Sequence, residues 1–495
     1  MNTERRKRSI ERTHWIAIWI AALCLLPAFA ARAAQPVQFT DDGYFILDGK
    51  PRLILGMYEN PKDDAKLREL AENGFNFVRV SANTNDLDRV AKHGLYAWIP
   101  LGSQLALPEN DPKARDRLTQ TIEKFKNHPA LLSWEAPDEA LWNVWYRRYL
   151  WIENEQPAHL KKLIADAKAN HPADKIQHWQ TMLKKAKNYM NRGLWKQGDE
   201  INDALWNELG AKNPHPEWNV SLAEAQARQL GEQLTRGWNL VRETDPSHVL
   251  WQNHAPRNSI AAMRFHNRAV HAAGCDIYPA PFNYGVRHSD LTDMNLTSVG
   301  AYTDRMRAAA PGKAVWMVLQ GFGWTDIQDP YNPKDPKRGR RPDFDETRFM
   351  AYNAILHGAN AVLYWGTHSI EKNSQLWNDL MTVARQIRAL EPAIVGQRPP
   401  NPPTAQADET YASWDGQGPN LMLRKTGPYW VLIAANEGPA GLAFQVKNLP
   451  PELNGKTLYR LYSDEKHVVT DGQFRDGIRA LDVHVYATNR QFQTP

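Results

Sequence analysis

One segment concentrates the groups that could do chemistry: His128-Pro129-Ala130-Leu131-Leu132-Ser133-Trp134-Glu135-Ala136-Pro137-Asp138-Glu139. Its apolar run has strand character and ends in three acids. Cleavage of a glycosidic bond needs a proton donor on the leaving oxygen and a second group to handle an oxocarbenium-like centre. A Glu held at a strand end in a half-buried cleft has its pKa raised by desolvation and can donate that proton. Glu139 is the candidate acid and Asp138 its partner, with Trp134 just upstream as a candidate sugar contact. Asp138 ahead of the helical "EALWNVW" pattern would serve equally as a helix N-cap, so the acidic pair does not fix the chemistry alone.

These acids need a scaffold, and the pattern along the chain supplies one. After an extended lead-in with a hairpin around Asp48-Gly49, short apolar strands alternate with amphipathic helices up to about Ala393. The expected strands are 53–58, 75–80, 96–101, 131–135, 249–253, 275–279, 314–320 and 361–366. Eight strand–helix units over residues 34–395 predict a (β/α)8 TIM barrel. A doubly wound sheet is the competing arrangement, but no glycine-rich phosphate loop follows the first strand. Between the fourth and fifth strands, residues Leu141 to Val220 form a helical, Trp-rich insertion. It leaves the C-terminal face of the barrel and is expected to wall the cleft, or else to be a decoration whose tryptophans pack on each other. Residues 396–406, "GQRPPNPPTAQ", read as a proline-rich linker. Alternating strands beyond it predict a small antiparallel β-sandwich-like domain over 407–495.

Residues 1–33 have the pattern of a secretory signal peptide: a basic Arg5-Arg6-Lys7-Arg8 stretch, an apolar run from Trp15 to Phe29, and Ala31-Arg32-Ala33 as cleavage site. This implies export to the periplasm or outside the cell. Cys24 leaves with the signal, and Cys275 then has no intrachain disulfide partner. Removing six cationic and two acidic side chains takes the net charge from +5 to +1, which leaves no electrostatic footprint for nucleic acid and none for an anionic membrane. No Cys/His cluster suggests a metal, and no cofactor is expected. The 19 Trp and 17 Tyr suit stacking on pyranose rings as well as core packing. The expected partner is a carbohydrate.

Across residues 40–395 the ordered phrases "FILDGKP", "NGFNFVRV", "KNHPALLSWEAPDEA", "DPSH", "CDIYP", "VWMVLQGFGW" and "FDETRFMAYNAILHGANAVLYWG" resemble clan A glycoside hydrolases. The resemblance implies Glu139 as acid/base, with Asp138 replacing the Asn that usually precedes it. It also implies Arg79 as the second-strand arginine, Tyr278 as the sixth-strand tyrosine, and Trp365 as the floor of the −1 sugar subsite. The family's nucleophile Glu would end the seventh strand, where this chain has Gln320.

Three readings follow: a glycosidase in which Asp276, Glu135 or an acid of the insertion activates water; a substrate-assisted N-acetylhexosaminidase using Asp138-Glu139; or a barrel that binds glycan without cleaving it. Gln320 is expected to be a neutral sugar ligand. Asn253 and His254 at the end of the fifth strand, and Trp324 in the loop after Gln320, are further candidate sugar contacts. A His at a strand end serves as often as a packed hydrogen-bonder. Glu346 reads as a helix cap or ion-pair residue.

Overall fold

The computed structural model describes residues 36–256, 258–281, 295–327, 336–408 and 417–494. The signal-peptide expectation therefore falls outside the described residues. The lead-in is a two-stranded hairpin, β1 (Phe45–Leu47) and β2 (Lys50–Arg52). Asp48 and Gly49 both take positive φ at its turn (52° and 74°), the backbone twist that tight hairpins require.

The barrel strands are β3 (Ile54–Met57), β4 (Phe77–Arg79), β5 (Tyr96–Pro100), β6 (Leu131–Glu135), β7 (Val249–His254), β8 (Ala272–Ile277), β9 (Ala314–Gln320) and β10 (Ala361–Trp365). They pair in sequence order and in parallel, and β10 closes on β3. Every residue of β6, β7, β8 and β9 is buried, as expected for parallel strands covered on both faces. Trp98, Trp251 and Trp316 fill the interior together with Phe77: the Phe77–Trp98 centroids lie 4.5 Å apart and Trp251–Trp316 5.5 Å. Gly274 allows β8 to approach β9, since a Cβ there would sit 1.5 Å from the Trp316 carbonyl oxygen.

Helices cover the outside and begin at well-formed caps. Asp63, Asn83, Asp111 and Ser374 each accept a backbone N–H of the first turn. Glu346 completes a capping box with Asp343 and takes a bidentate Arg340 at 2.6 and 2.7 Å, so it caps a helix and pairs an arginine.

The insertion is helical, with segments Ala140–Leu150, Gln156–Asp166, Ala173–Asn191 and Trp195–Glu208 before the long barrel helix Val220–Thr244. Trp151, Trp179, Leu205 and Trp206 form its own core, separate from that of the barrel.

Beyond the barrel, β11 (Thr404–Ala407), β14 (Leu442–Lys447) and β17 (Phe474–Ile478) make one sheet. Strands β12 (Asn420–Thr426), β13 (Tyr429–Asn436), β15 (Thr457–Arg460), β16 (Lys466–Val468) and β18 (Asp482–Ala487) make the other. Apolar residues of both sheets meet in a common core. The proline-rich stretch differs from a free linker: Gln397 pairs with Lys425, and Thr404 already belongs to β11. The outer face of the five-stranded sheet (Val431, Ile433, Val485) joins the barrel's core, so the two domains pack as one body.

Candidate active site

Side chains alternate across a strand, and this period selects which strand-end residues face the barrel mouth. On β6, Glu135 points inward and Trp134 outward. Trp134 is fully buried and its indole N–H donates to Asp245 at 2.7 Å; the structure does not bring it to the mouth. On β7, Asn253 points inward. His254 points away and bonds Asn267 at 2.8 Å, and burial lowers its pKa to about 4. It is a packed, neutral hydrogen-bonder.

The inward groups converge. Asn253 Nδ2 donates to Asp138 at 2.9 Å and to Asp276 at 2.7 Å, tying the loop after β6 to β8. Glu139 hydrogen-bonds Asp276 through their carboxyl groups, and the Tyr278 hydroxyl also reaches Asp276. Glu139 has φ 47°, a left-handed conformation costly for a residue with a Cβ. Such strain persists where the surroundings enforce it, often at functional sites. Neither acid is a side-chain cap on the helix that starts at Ala140, so the capping alternative for the pair is not realised.

Desolvation dominates the electrostatics. Burial first, and then the nearby Asp138, push Glu139 up to about 7, against the lowering effect of its bond to Asp276. Asp276, fully enclosed beside Glu139 and Asp138, is raised well above the usual carboxylate range. Deeper in the barrel, Glu135 accepts from Tyr58 Oη (2.5 Å), Trp98 Nε1 (3.1 Å) and Arg79 Nε (3.4 Å). Burial still raises it to about 7, because three donors, one of them a half-exposed arginine, only partly replace water. The sequence reading missed Tyr58 and Trp98. Both end up on the inward face beside Glu135, and strand parity on β5 was the available signal for Trp98.

An aromatic floor lies across the mouth. Tyr278 and Trp365 stack with centroids 5.6 Å apart and planes 18° from parallel, and Phe322 stands edge-on to both at 5.2 Å. Trp324 is nearly buried behind this floor, its indole N–H donating to Ala280 O at 3.1 Å. Gln320 also points inward, but its amide is occupied. Its Oε1 accepts from Ala280 N (2.9 Å), and its Nε2 donates to Ala280 O (2.8 Å) and Phe322 O (3.0 Å). A fully buried side chain engaged in this way clamps two loops and offers nothing to a sugar, contrary to the expectation from sequence.

The ring of inward carboxyls at the C-terminal ends of a closed eight-stranded barrel can hold a proton near neutrality beside a flat aromatic surface. The fold is that of TIM-barrel glycoside hydrolases. A β-galactosidase from Bacillus circulans sp. alkalophilus superposes with a TM-score of 0.51 at 11% identity, over 89% of this chain and 100% of that one. A glycoside hydrolase family 5 protein from Bacteroides vulgatus gives 0.50 at 12% identity, over 92% and 93%. The β-galactosidase of Marinomonas ef1 gives 0.41 at 16% identity over 68% of this chain, which spans only 60% of that longer protein. Neither a protein-family model nor a curated protein sequence matches the chain.

Proposed function

We propose that the protein is an exported O-glycosyl hydrolase in which Glu139 is the general acid. The observation that carries this reading is a strained strand-end glutamate with its pKa raised to about 7, set beside the Tyr278–Trp365 floor. A sugar ring stacked on Trp365 would present its leaving oxygen to that carboxyl. The shared fold with β-galactosidases and a family 5 hydrolase supports a carbohydrate substrate, and the signal-like residues 1–33 support action outside the cytoplasm. Replacing Glu139 by Gln should lower turnover of an unactivated glycoside by ~10²–10⁴-fold while leaving binding intact. A folded Glu139→Gln variant with near wild-type turnover rules the assignment out, and a wild-type protein with no turnover on any glycoside supports the binding-only reading.

A substrate-assisted route gains support from the Glu139–Asp276 contact. Paired glycosidase carboxyls stand ~5–5.5 Å apart in retaining enzymes and ~6.5–9.5 Å in inverting ones. Two carboxyls in direct hydrogen bond act instead as one acid unit, and Gln320 supplies no nucleophile. Asp138, whose Oδ1 is held by Asn253 Nδ2 at 2.9 Å, is positioned at the mouth to orient a 2-acetamido group, whose oxygen would attack the anomeric carbon as the bond to the leaving oxygen breaks. Under this route substrates lacking that group are nearly inert.

A further inference from the structure

Two neighbouring helices of the insertion pack through apolar side chains that include Leu160, Ile164, Ile176 and Trp179, and a groove lined in part by Ile164 and Met190 runs beside this contact. Lys161 and Lys168 lie two turns apart on one face of Gln156–Asp166 and its continuation, and Lys184 and Lys187 lie on one face of Ala173–Asn191; all four line this groove, of about 870 Å³. Among the described residues none of the four makes an ion pair, and Glu153 is the one carboxylate in the lining. The floor is apolar, from Ile164, Leu183 and Met190. It also contains Asn202, 1% exposed, whose Nδ2 bonds Gln156 at 2.8 Å and whose Oδ1 has no partner. The four lysines are exposed along the groove, so a ligand with several anionic groups would meet them without displacing the apolar contact beneath.

A series of aromatic contacts runs along the first helix of the insertion, starting one turn after Glu139 and ending at Trp195. Trp142 follows Glu139 by one helical turn. Its ring lies 6.1 Å from Tyr146, which is 38% exposed, and 5.8 Å from Tyr149; Tyr149 in turn lies 5.7 Å from Trp195. The helix carrying the first three, Ala140–Leu150, is ~16 Å long at 1.5 Å per residue, a reach of several sugar units from Glu139. Rings of this kind bind the faces of pyranoses, and the lysines beyond them select charge.

We propose that the insertion groove binds the anionic groups of an acidic polysaccharide whose chain runs along the Trp142–Trp195 strip into the barrel mouth. This inference rests on the glycosidase reading and narrows its substrate to a polyanionic glycan. The cavity size falls in the range of ligand sites, and the near-neutral mature chain makes a confined basic groove selective instead of generally adhesive.

The test is affinity electrophoresis of the whole protein in gels containing polygalacturonate, dextran sulfate or neutral galactan, with phosphatidylglycerol vesicles in a parallel flotation assay. Wild type should be retarded by the polyanions, and less so at high salt. Lys161→Glu/Lys184→Glu should weaken that retardation at least ~10-fold, and the milder Lys168→Ala/Lys187→Ala should weaken it in the same direction. Glu139→Gln should bind polyanion like wild type, so that a failed catalytic assignment leaves this result standing. Retardation unchanged in both lysine variants, no retardation of wild type by either polyanion, or binding to vesicles alone would overturn the proposal.

Discussion

The carboxyl of Glu139 hydrogen-bonds that of Asp276 across the barrel mouth, joining the loop after β6 to the end of β8. Burial, and then the neighbouring Glu139 and Asp138, raise Asp276 well above the usual carboxylate range, which makes Asp276 the donor and Glu139 the acceptor in this bond. That bond stabilises the Glu139 carboxylate, while burial destabilises it. A general acid works only while protonated, so kcat/KM should be level below about pH 7 and fall above it. Asp276→Ala removes the donor that favours the charged form, and the falling limb should move to higher pH. A pH–rate profile of both proteins checks this; a limb that stays in place in Asp276→Ala detaches it from Glu139.

Glu135 makes stability depend on pH. Its folded-state pKa of about 7 exceeds the ordinary value of 4.5, so between these values the native state binds the proton that the unfolded chain has lost. Stability from this group is therefore full below about pH 4.5 and declines as pH rises toward 7. At ~1.4 kcal/mol per pH unit the loss is at most ~3 kcal/mol. Glu135→Gln should remove that decline: an amide can take Trp98 and Arg79 on its oxygen and donate to Tyr58. Melting temperatures measured from pH 5 to 8 should slope downward in wild type and flatten in the variant. Parallel curves would show that Glu135 is ionised throughout.

Gln320 ends β9, where the sequence resemblance to clan A glycoside hydrolases implies a nucleophile, yet its Nε2 donates to two backbone carbonyls. Gln320→Glu would set a carboxylate against both. A buried polar group left unpaired costs ~1–3 kcal/mol, more when charged. The variant should melt lower and lose activity, with no covalent glycosyl-enzyme formed on an activated fluorosugar. Gain of activity together with a trapped adduct would make the site an ordinary retaining one.

Much of this architecture is legible in the sequence, because the barrel is encoded locally. Strands Leu131–Glu135 and Ala314–Gln320 have the expected bounds, and the other six barrel strands fall within a few residues of expectation. Apolar runs with flanking turns suffice for that. The site is less legible because it depends on side-chain direction and on contacts between distant strands. Parity alone separates Asn253 from His254 and Glu135 from Trp134, and counting alternation from the buried strand centres would have placed them. The Glu139–Asp276 bond joins residues far apart in sequence, and Gln320's engagement depends on the backbone path at Ala280; neither has a local signature. Tryptophan abundance misleads too, since Trp98, Trp134, Trp238, Trp251, Trp316 and Trp377 are fully buried and fill the core.

The insertion supports a final prediction, because its core is separate from that of the barrel. Trp151, Leu160, Trp179 and Trp206 pack among themselves, whereas Ala140 and Leu141 belong to the barrel cluster, with Val144 packed against it. Helix Ala140–Leu150 lies along the long helix Val220–Thr244: Arg148 bonds Gln226, and Asp199 of the insertion accepts the Val220 N–H. The ends of the two flanking helices therefore lie close enough for a short bridge. Replacing 151–218 by a Gly/Ser linker removes the groove and the Trp195 end of the aromatic strip but keeps Glu139, Asp276 and the Tyr278–Trp365 floor. Its melting temperature should fall by only a few degrees, since a ~1 kcal/mol loss shifts a large domain by ~2–4 °C. Small aryl glycosides, which fill only the mouth, should turn over at near wild-type kcat. Long substrates should show a raised KM, because binding energy at remote subsites is lost. Global unfolding of the deletion would make the insertion part of the barrel's own core, and an unchanged KM on polymer would reduce it to decoration.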